Sequence, residues 1–139
     1  MTIPQVIQVA YNAGFRGQGL ITAVAIAYAE SGLNPIAVNY NKDASGNVTS
    51  VDRGLWQINS YWHPQYTAPD IFNSQSNANA AYAISKQGTN FKPWVTYNKN
   101  LHSKYIAQVA ALIDKVEETV KDNVLPLAIA AVTLYLIFS

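Results

Sequence analysis

Residues 18–35 read QGLITAVAIAYAESGLNP. The stretch Gln18–Ser31 predicts a helix, strongly apolar through Ile21, Val24, Ala25, Ile26 and Tyr28. Gly32 and Pro35 stop it, because glycine takes the left-handed turn that closes a helix and proline cannot continue one. Near the end of this apolar helix stands Glu30, the only glutamate before residue 117. A helix C-terminus carries partial negative charge, which disfavours a carboxylate. Apolar surroundings disfavour the ionised form as well. Both effects raise the pKa, so Glu30 is placed to hold a proton near neutral pH, as a general acid must. The plainer alternative is a solvated helix-end glutamate.

Downstream of the helix, Ala37–Asn41 and Val48–Arg53 predict two strands around the turn Lys-Asp-Ala-Ser-Gly-Asn. Asp52 lies on the second strand, 22 positions after Glu30. Its neighbours are Ser50, Arg53 and the polar hairpin residues Asn39 and Asn41. A hydrogen-bonding environment of that kind keeps a carboxylate ionised. The alternative is an aspartate that caps backbone amides at a strand end. One carboxyl pushed towards neutrality and one held as an anion is the division of labour by which glycosidic bonds are cut.

The remaining chain reads as mainly helical. Pro4–Ala13 predicts a short amphipathic helix ended by Gly14, and Ser74–Lys86 a core helix spaced by Ala78, Ala81, Tyr82 and Ile84. Gly88–Asn98 predicts a loop carrying Phe91, Trp94 and Tyr97. Ser103–Asp122 repeats Ile106, Val109, Ala110, Ile113, Val116 and Val120 at helical spacing, with charged residues on the other face. The fold class expected is α+β, mainly α, with a small β-hairpin after the second helix. Trp56, alternating with Leu55 and Ile58, is expected in the core. Trp62 and Tyr97 are assigned to a cleft, with the core as the alternative, since aromatic rings with polar handles suit a wet sugar-binding surface.

Composition excludes several classes. The 139 residues suffice for one domain, alone or with an appendage. There is no cysteine, hence no disulfide scaffold, thiol nucleophile or Cys-based metal site. Net charge is +1, with 12% charged and 50% hydrophobic residues. That balance speaks against a nucleic-acid partner and against disorder. His63 and His102 stand 39 positions apart without clustered ligands, so no metal is expected. No glycine-rich phosphate loop follows a strand, and no cofactor is expected. Residues 1–110 carry a charge of +3 and residues 111–139 a charge of −2. Met1–Ala10 lacks the basic and apolar regions of a signal peptide. From Val124 to Phe138 nothing is charged. A helical span of a bilayer needs about 17–20 apolar residues. The 17 residues after Asp122 sit at that lower bound and read as a membrane anchor, with a buried C-terminal helix as the alternative.

Two motifs now gain a family. Glu30-Ser31-Gly32-Leu33-Asn34-Pro35, followed by Asp52-Arg53-Gly54-Leu55-Trp56-Gln57-Ile58-Asn59-Ser60, resembles the lysozyme superfamily. The Glu-Ser pair and the Gly-Leu-x-Gln-Ile stretch resemble lytic transglycosylases. The Asn39-x-Asn41 hairpin and the Asp-x-Gly-x-x-Gln-Ile-Asn run resemble animal-type lysozymes as well. Lysozyme-like domains of phage tail and virion proteins also show a Gly-Phe-x-Gly helix start and a late Phe-x-Pro-Trp-x-x-Tyr segment, matched here by Gly14–Gly17 and Phe91–Tyr97. The likeness covers about residues 5–110 and leaves the tail outside.

The resemblance implies a lysozyme-like catalytic domain over residues 1–110; the helical spacing and the uncharged run beyond it predict an amphipathic stalk at 111–123 and an apolar helix at 124–139. It implies cleavage of the β-1,4 bond between N-acetylmuramic acid and N-acetylglucosamine in peptidoglycan. Glu30 would be the acid and Asp52 the second carboxylate. Ser31 would orient the substrate or Glu30, and Gln57 and Asn59 would line the cleft floor. With Asn39, Asn41, Trp62 and Tyr97 these form the expected substrate-binding set. The Ala-Tyr-Asn-Ala-Gly motif that follows the glutamate in transglycosylases precedes it here, at Ala10–Gly14. Product chemistry stays open between water attack and closure of a 1,6-anhydro ring. The partners implied by the resemblance are glycan strands and other virion proteins, and the uncharged run adds a lipid bilayer through residues 124–139. The implied setting is a membrane-associated phage virion component that opens the wall during genome entry. A non-catalytic glycan-binding protein, or a membrane structural protein with a lysozyme-like part, is the alternative.

Overall fold

The computed structural model describes residues 1–67 and 69–123, with side chains through residue 115 apart from that of Pro69. Helix α1, Ile3–Ala13, starts at a capping box. The Thr2 hydroxyl accepts the Gln5 N–H, and the Gln5 side chain accepts the Thr2 N–H at 2.9 Å. Two donors that the helix end would leave orphaned are thereby satisfied. Helix α2, Gly17–Ser31, is the axis of the core: Ala23 through Ala27 have no exposed surface. A helix apolar all round must be buried all round, and its alanines let α1, α5 and Trp56 approach closely. Gly32 closes it at φ 61°, a left-handed conformation that suits glycine.

The predicted hairpin forms as β1, Val38–Lys42, and β2, Val48–Arg53. A third short strand, β3 at Ile58–Asn59, extends it to an antiparallel sheet in the order β1-β2-β3. The register pairs Asn39 with Asp52, Asn41 with Ser50, and Asp52 with Asn59. Single 3₁₀ turns follow at Pro64–Tyr66 and Pro69–Phe72.

Helix α3 spans Ser74–Ile84, two residues short of the expected end. Ser85 is fully buried; its hydroxyl donates to the Tyr82 carbonyl and accepts the Gly88 N–H. Lys86, Gln87 and Gly88 all take positive φ, so the chain turns away. The stretch expected as loop contains one short helix, α4, Val95–Asn98. Helix α5, Ser103–Asn123, buries Val109 and Ile113 and leaves Gln108, Asp114 and Lys115 exposed. It lies on α2, where the Tyr105 ring stacks on Tyr28 at 4.0 Å. Among the described residues no helix is long and apolar enough to cross a membrane. The run 124–139 lies outside the described residues.

Asn77 of α3 fastens helix to sheet. It is fully buried; its carboxamide oxygen accepts the Trp56 N–H at 2.8 Å, and its nitrogen donates to the carbonyls of Arg53 and Ile71 at 3.0 Å. Gly54 lies against it at φ 78°, and a Cβ there would collide with the Asn77 amide. Asn77→Ala strands three backbone groups, each costing about 1–3 kcal/mol when buried unpaired. Urea unfolding should therefore show a loss of roughly 3 kcal/mol or more. An unchanged unfolding free energy would show that Asn77 is not part of the support.

Candidate active site

A cleft of about 700 Å³ separates the sheet from the C-terminal end of α2 and the start of α4. Glu30 is on the helical wall, with Trp94 and Val95 beside it; Asp52 is on the sheet wall. The register explains the sheet wall. Side chains two apart on a strand share a face, so Ser50 and Asp52 point the same way as their partners Asn41 and Asn59.

These four side chains form a closed network. The Asn41 amide donates to one Asp52 oxygen at 2.9 Å, and the Asn59 amide to the other at 2.8 Å. Both amides also reach the Ser50 hydroxyl oxygen, at 3.0 and 3.1 Å. The negative charge of Asp52 is thus held by fixed amide dipoles on both oxygens, which is how a protein solvates an anion away from bulk water.

Glu30 has a different environment. It is half-buried, and its Oε1 accepts one hydroxyl, that of Thr96, at 2.9 Å. Burial holds its carboxyl above the ordinary glutamate value, and the negative charge of Asp52 pushes the same way. The hydroxyl and backbone N–H of Thr96 pull it partly back. Half-buried His63, also on the cleft wall, has its pKa lowered by burial.

The expected binding residues divide. Asn41, Asn59 and Trp62 line the cleft. Asn59 also shapes the rim, because its side-chain oxygen accepts the backbone N–H groups of Tyr61 and Trp62. Trp62 is 73% exposed, an indole face free for a ligand. Gln57 reaches the floor, but its amide donates to the carbonyls of Ala37 and Gly54 and its oxygen accepts the Asn39 amide. Both residues are thereby committed to fastening β1, and Asn39 is not on the wall. Ser31 donates to the Ala27 carbonyl at 2.9 Å, one turn back in its own helix, and does not touch Glu30. Tyr97 packs on Phe91 and His102, away from the lining. Ser50 and His63 are not among the expected cleft residues, although Ser50 reads as a polar neighbour of Asp52, and Thr96 is not singled out by the sequence at all. For Ser50 the signal was its position two before Asp52. For Thr96, 66 positions from Glu30, no spacing rule gives one. Among the described residues no group of His, Cys, Asp or Glu could hold a metal ion.

The raised pKa of Glu30 has a definite sign in stability. The folded chain holds the proton more tightly than the unfolded chain, where the ordinary value of 4.5 applies. Stability from this group is greatest at acid pH and falls as the pH climbs from that value through the raised one. Glu30→Gln cannot ionise. The variant should melt above the parent at neutral pH, with the gap closing below the ordinary glutamate value. A thermal midpoint lower than the parent's across the whole pH range would contradict this.

A family model described as "Lysozyme like domain" matches residues 7–96. Among known proteins, Lysozyme C of Colobus angolensis is 30% identical over 109 residues, which is 68% of this chain and 71% of that protein. Lysozyme C-3 of Sus scrofa is 28% identical over 109 residues, with the same shares covered. No solved structure gives a match. The matched span contains Glu30, Asp52 and the cleft between them. With the mainly helical fold and its small antiparallel sheet, this places the chain in the lysozyme superfamily, as a member of the lysozyme-like domain family.

Proposed function

We propose that this protein is a peptidoglycan glycosidase that hydrolyses the β-1,4 bond between N-acetylmuramic acid and N-acetylglucosamine. The observation that supports it best is the pair of carboxyls on opposite walls of one cleft, in opposite surroundings. Glu30, whose proton burial holds more tightly than in an ordinary glutamate, gives that proton to the bridging oxygen as the bond breaks. Asp52 faces the positive charge that develops on the sugar ring and stabilises it, or attacks it. Its amide donors are already in place, so little reorganisation is needed when that charge appears. Trp62 offers an exposed ring for a pyranose face. Hydrolysis is preferred over anhydro-ring closure because the second carboxylate is so fully supported, and ring closure does not need one.

The protein is further proposed to act in a phage virion, held to a bilayer by residues 124–139. The likeness of Gly14–Gly17 and Phe91–Tyr97 to virion lysozyme-like domains supports the first part. The uncharged run from Val124 to Phe138 supports the second.

On purified cell walls the parent should release muropeptides with reducing ends, and mass spectrometry should find each heavier by one water than its anhydro counterpart. Glu30→Gln should lose about 10²–10⁴-fold in rate, the usual worth of a general acid. Anhydro products would replace hydrolysis by transglycosylation, and equal rates in parent and variant would remove the mechanism. For the anchor, the full chain should float with liposomes in a density gradient and a chain lacking residues 124–139 should not. Co-flotation of both would end the anchor proposal.

A further inference from the structure

The Thr96 hydroxyl crosses from the start of α4 to the end of α2 to reach Glu30. We propose that Thr96 is a positioning residue for the acid: by claiming Glu30 Oε1, it leaves Oε2 to carry the acidic proton into the cleft. This rests on the reading of Glu30 as the proton donor.

A carboxylic acid has two oxygens and one proton, and in a half-buried site the proton can sit on either. A hydroxyl that donates to one oxygen disfavours the proton there, because the protonated oxygen of a carboxylic acid is a poorer acceptor than its carbonyl oxygen. The donor must therefore be fixed, and Thr96 is. Its carbonyl accepts the Leu101 N–H at 2.8 Å, and His102 Nδ1 lies 3.4 Å from the same oxygen. Two residues earlier, the Trp94 indole donates to the Trp56 carbonyl at 2.8 Å. Threonine adds stiffness of its own, since its branched Cβ restricts rotation at χ1.

Thr96 also limits what burial does. An acid held too tightly protonated gives its proton up reluctantly, and efficient proton transfer needs a pKa near the working pH. Burial and Asp52 push Glu30 up; Thr96 is the group that opposes them. The other titratable groups nearby are Asp52 and His63 on the cleft walls and His102 behind Thr96, while α5 brings Tyr105 against Tyr28 of α2. None of them donates a side-chain hydrogen bond to Glu30.

The test uses the full chain with Thr96→Val, which keeps the branch and the backbone N–H and removes the hydroxyl, and Thr96→Ser, which restores it. Two readouts are followed: the carbon-13 titration of the Glu30 carboxyl, and kcat and KM on cell-wall glycan against pH. In Thr96→Val the titration midpoint should move up and the basic limb of the activity profile should follow it. At the parent's optimum kcat should fall about tenfold, with KM within about twofold. Thr96→Ser should behave as the parent in both. An unmoved midpoint in Thr96→Val, or a Thr96→Ser that shifts as the valine variant does, overturns the proposal. A parent that cuts no glycan, yet shows the titration response, overturns the glycosidase reading and leaves the hold of Thr96 on the proton supported.

Discussion

The site depends on the hydrogen bonds of one buried residue, Trp56. Its indole N–H donates to the Ala23 carbonyl inside α2 at 2.8 Å. Its own carbonyl accepts the Trp94 indole at 2.8 Å, and its N–H is taken by Asn77. Each of these groups would cost about 1–3 kcal/mol if left buried and unpaired. The three contacts thus fix α2, the chain leading into β3, and the chain leading into α4 against one point. Glu30 lies two helical turns from Ala23, Asp52 four residues before Trp56, and Thr96 two residues after Trp94. All three functional positions are therefore measured from Trp56. The stacked rings of Phe15 and Phe91 around it leave little room for adjustment, because a close-packed core transmits a misfit instead of absorbing it.

That rigidity gives the two carboxyls different chemistry. Asp52 meets two amide donors, and their own second contacts to Ser50 keep them aimed. Glu30 meets one hydroxyl and one backbone N–H in a less exposed setting. The residue types are nearly the same; what differs is the kind of dipole that faces each one, paired side-chain amides for Asp52 against a hydroxyl and a backbone N–H for Glu30. On the proposed reading, a charge forming on a substrate between them would find a proton donor on one side and an anion on the other.

Much of this was legible in the sequence, for identifiable reasons. The apolar run before Glu30 and the stops at Gly32 and Pro35 place the helix within a residue of its observed start. The two-residue period of a strand puts Ser50 and Asp52 on one face, and the turn between the strands sets the register that adds Asn41. Apolar neighbours explain the raised Glu30 pKa in part. Burial contributes most, Asp52 adds to it and Thr96 opposes it, and the last two come from distant segments. What pattern reading leaves open shares one property. Ser31, Asn39 and Gln57 are polar residues next to the motifs, and each spends its hydrogen bonds on backbone or on a neighbour. Tyr97 is a surface aromatic that packs on Phe91 and His102 instead of lining the cleft. Sequence shows that a polar group is present; whether it faces a ligand or satisfies a carbonyl is decided by tertiary packing.

The position of Glu30 at the end of the most buried helix has a consequence for stability. Five successive residues of α2 have no exposed surface, so its end cannot shift without disturbing the core. A glutamate there is held with the precision of the core, but it loses hydration that an exposed glutamate would keep. Natural proteins keep such residues when rigidity at a reacting group outweighs the stability lost. Thr96 makes this arrangement tolerable. Its hydroxyl and N–H return part of the lost solvation, and they come from a segment anchored to the same core through Trp94. Acid and partner therefore share one frame of reference.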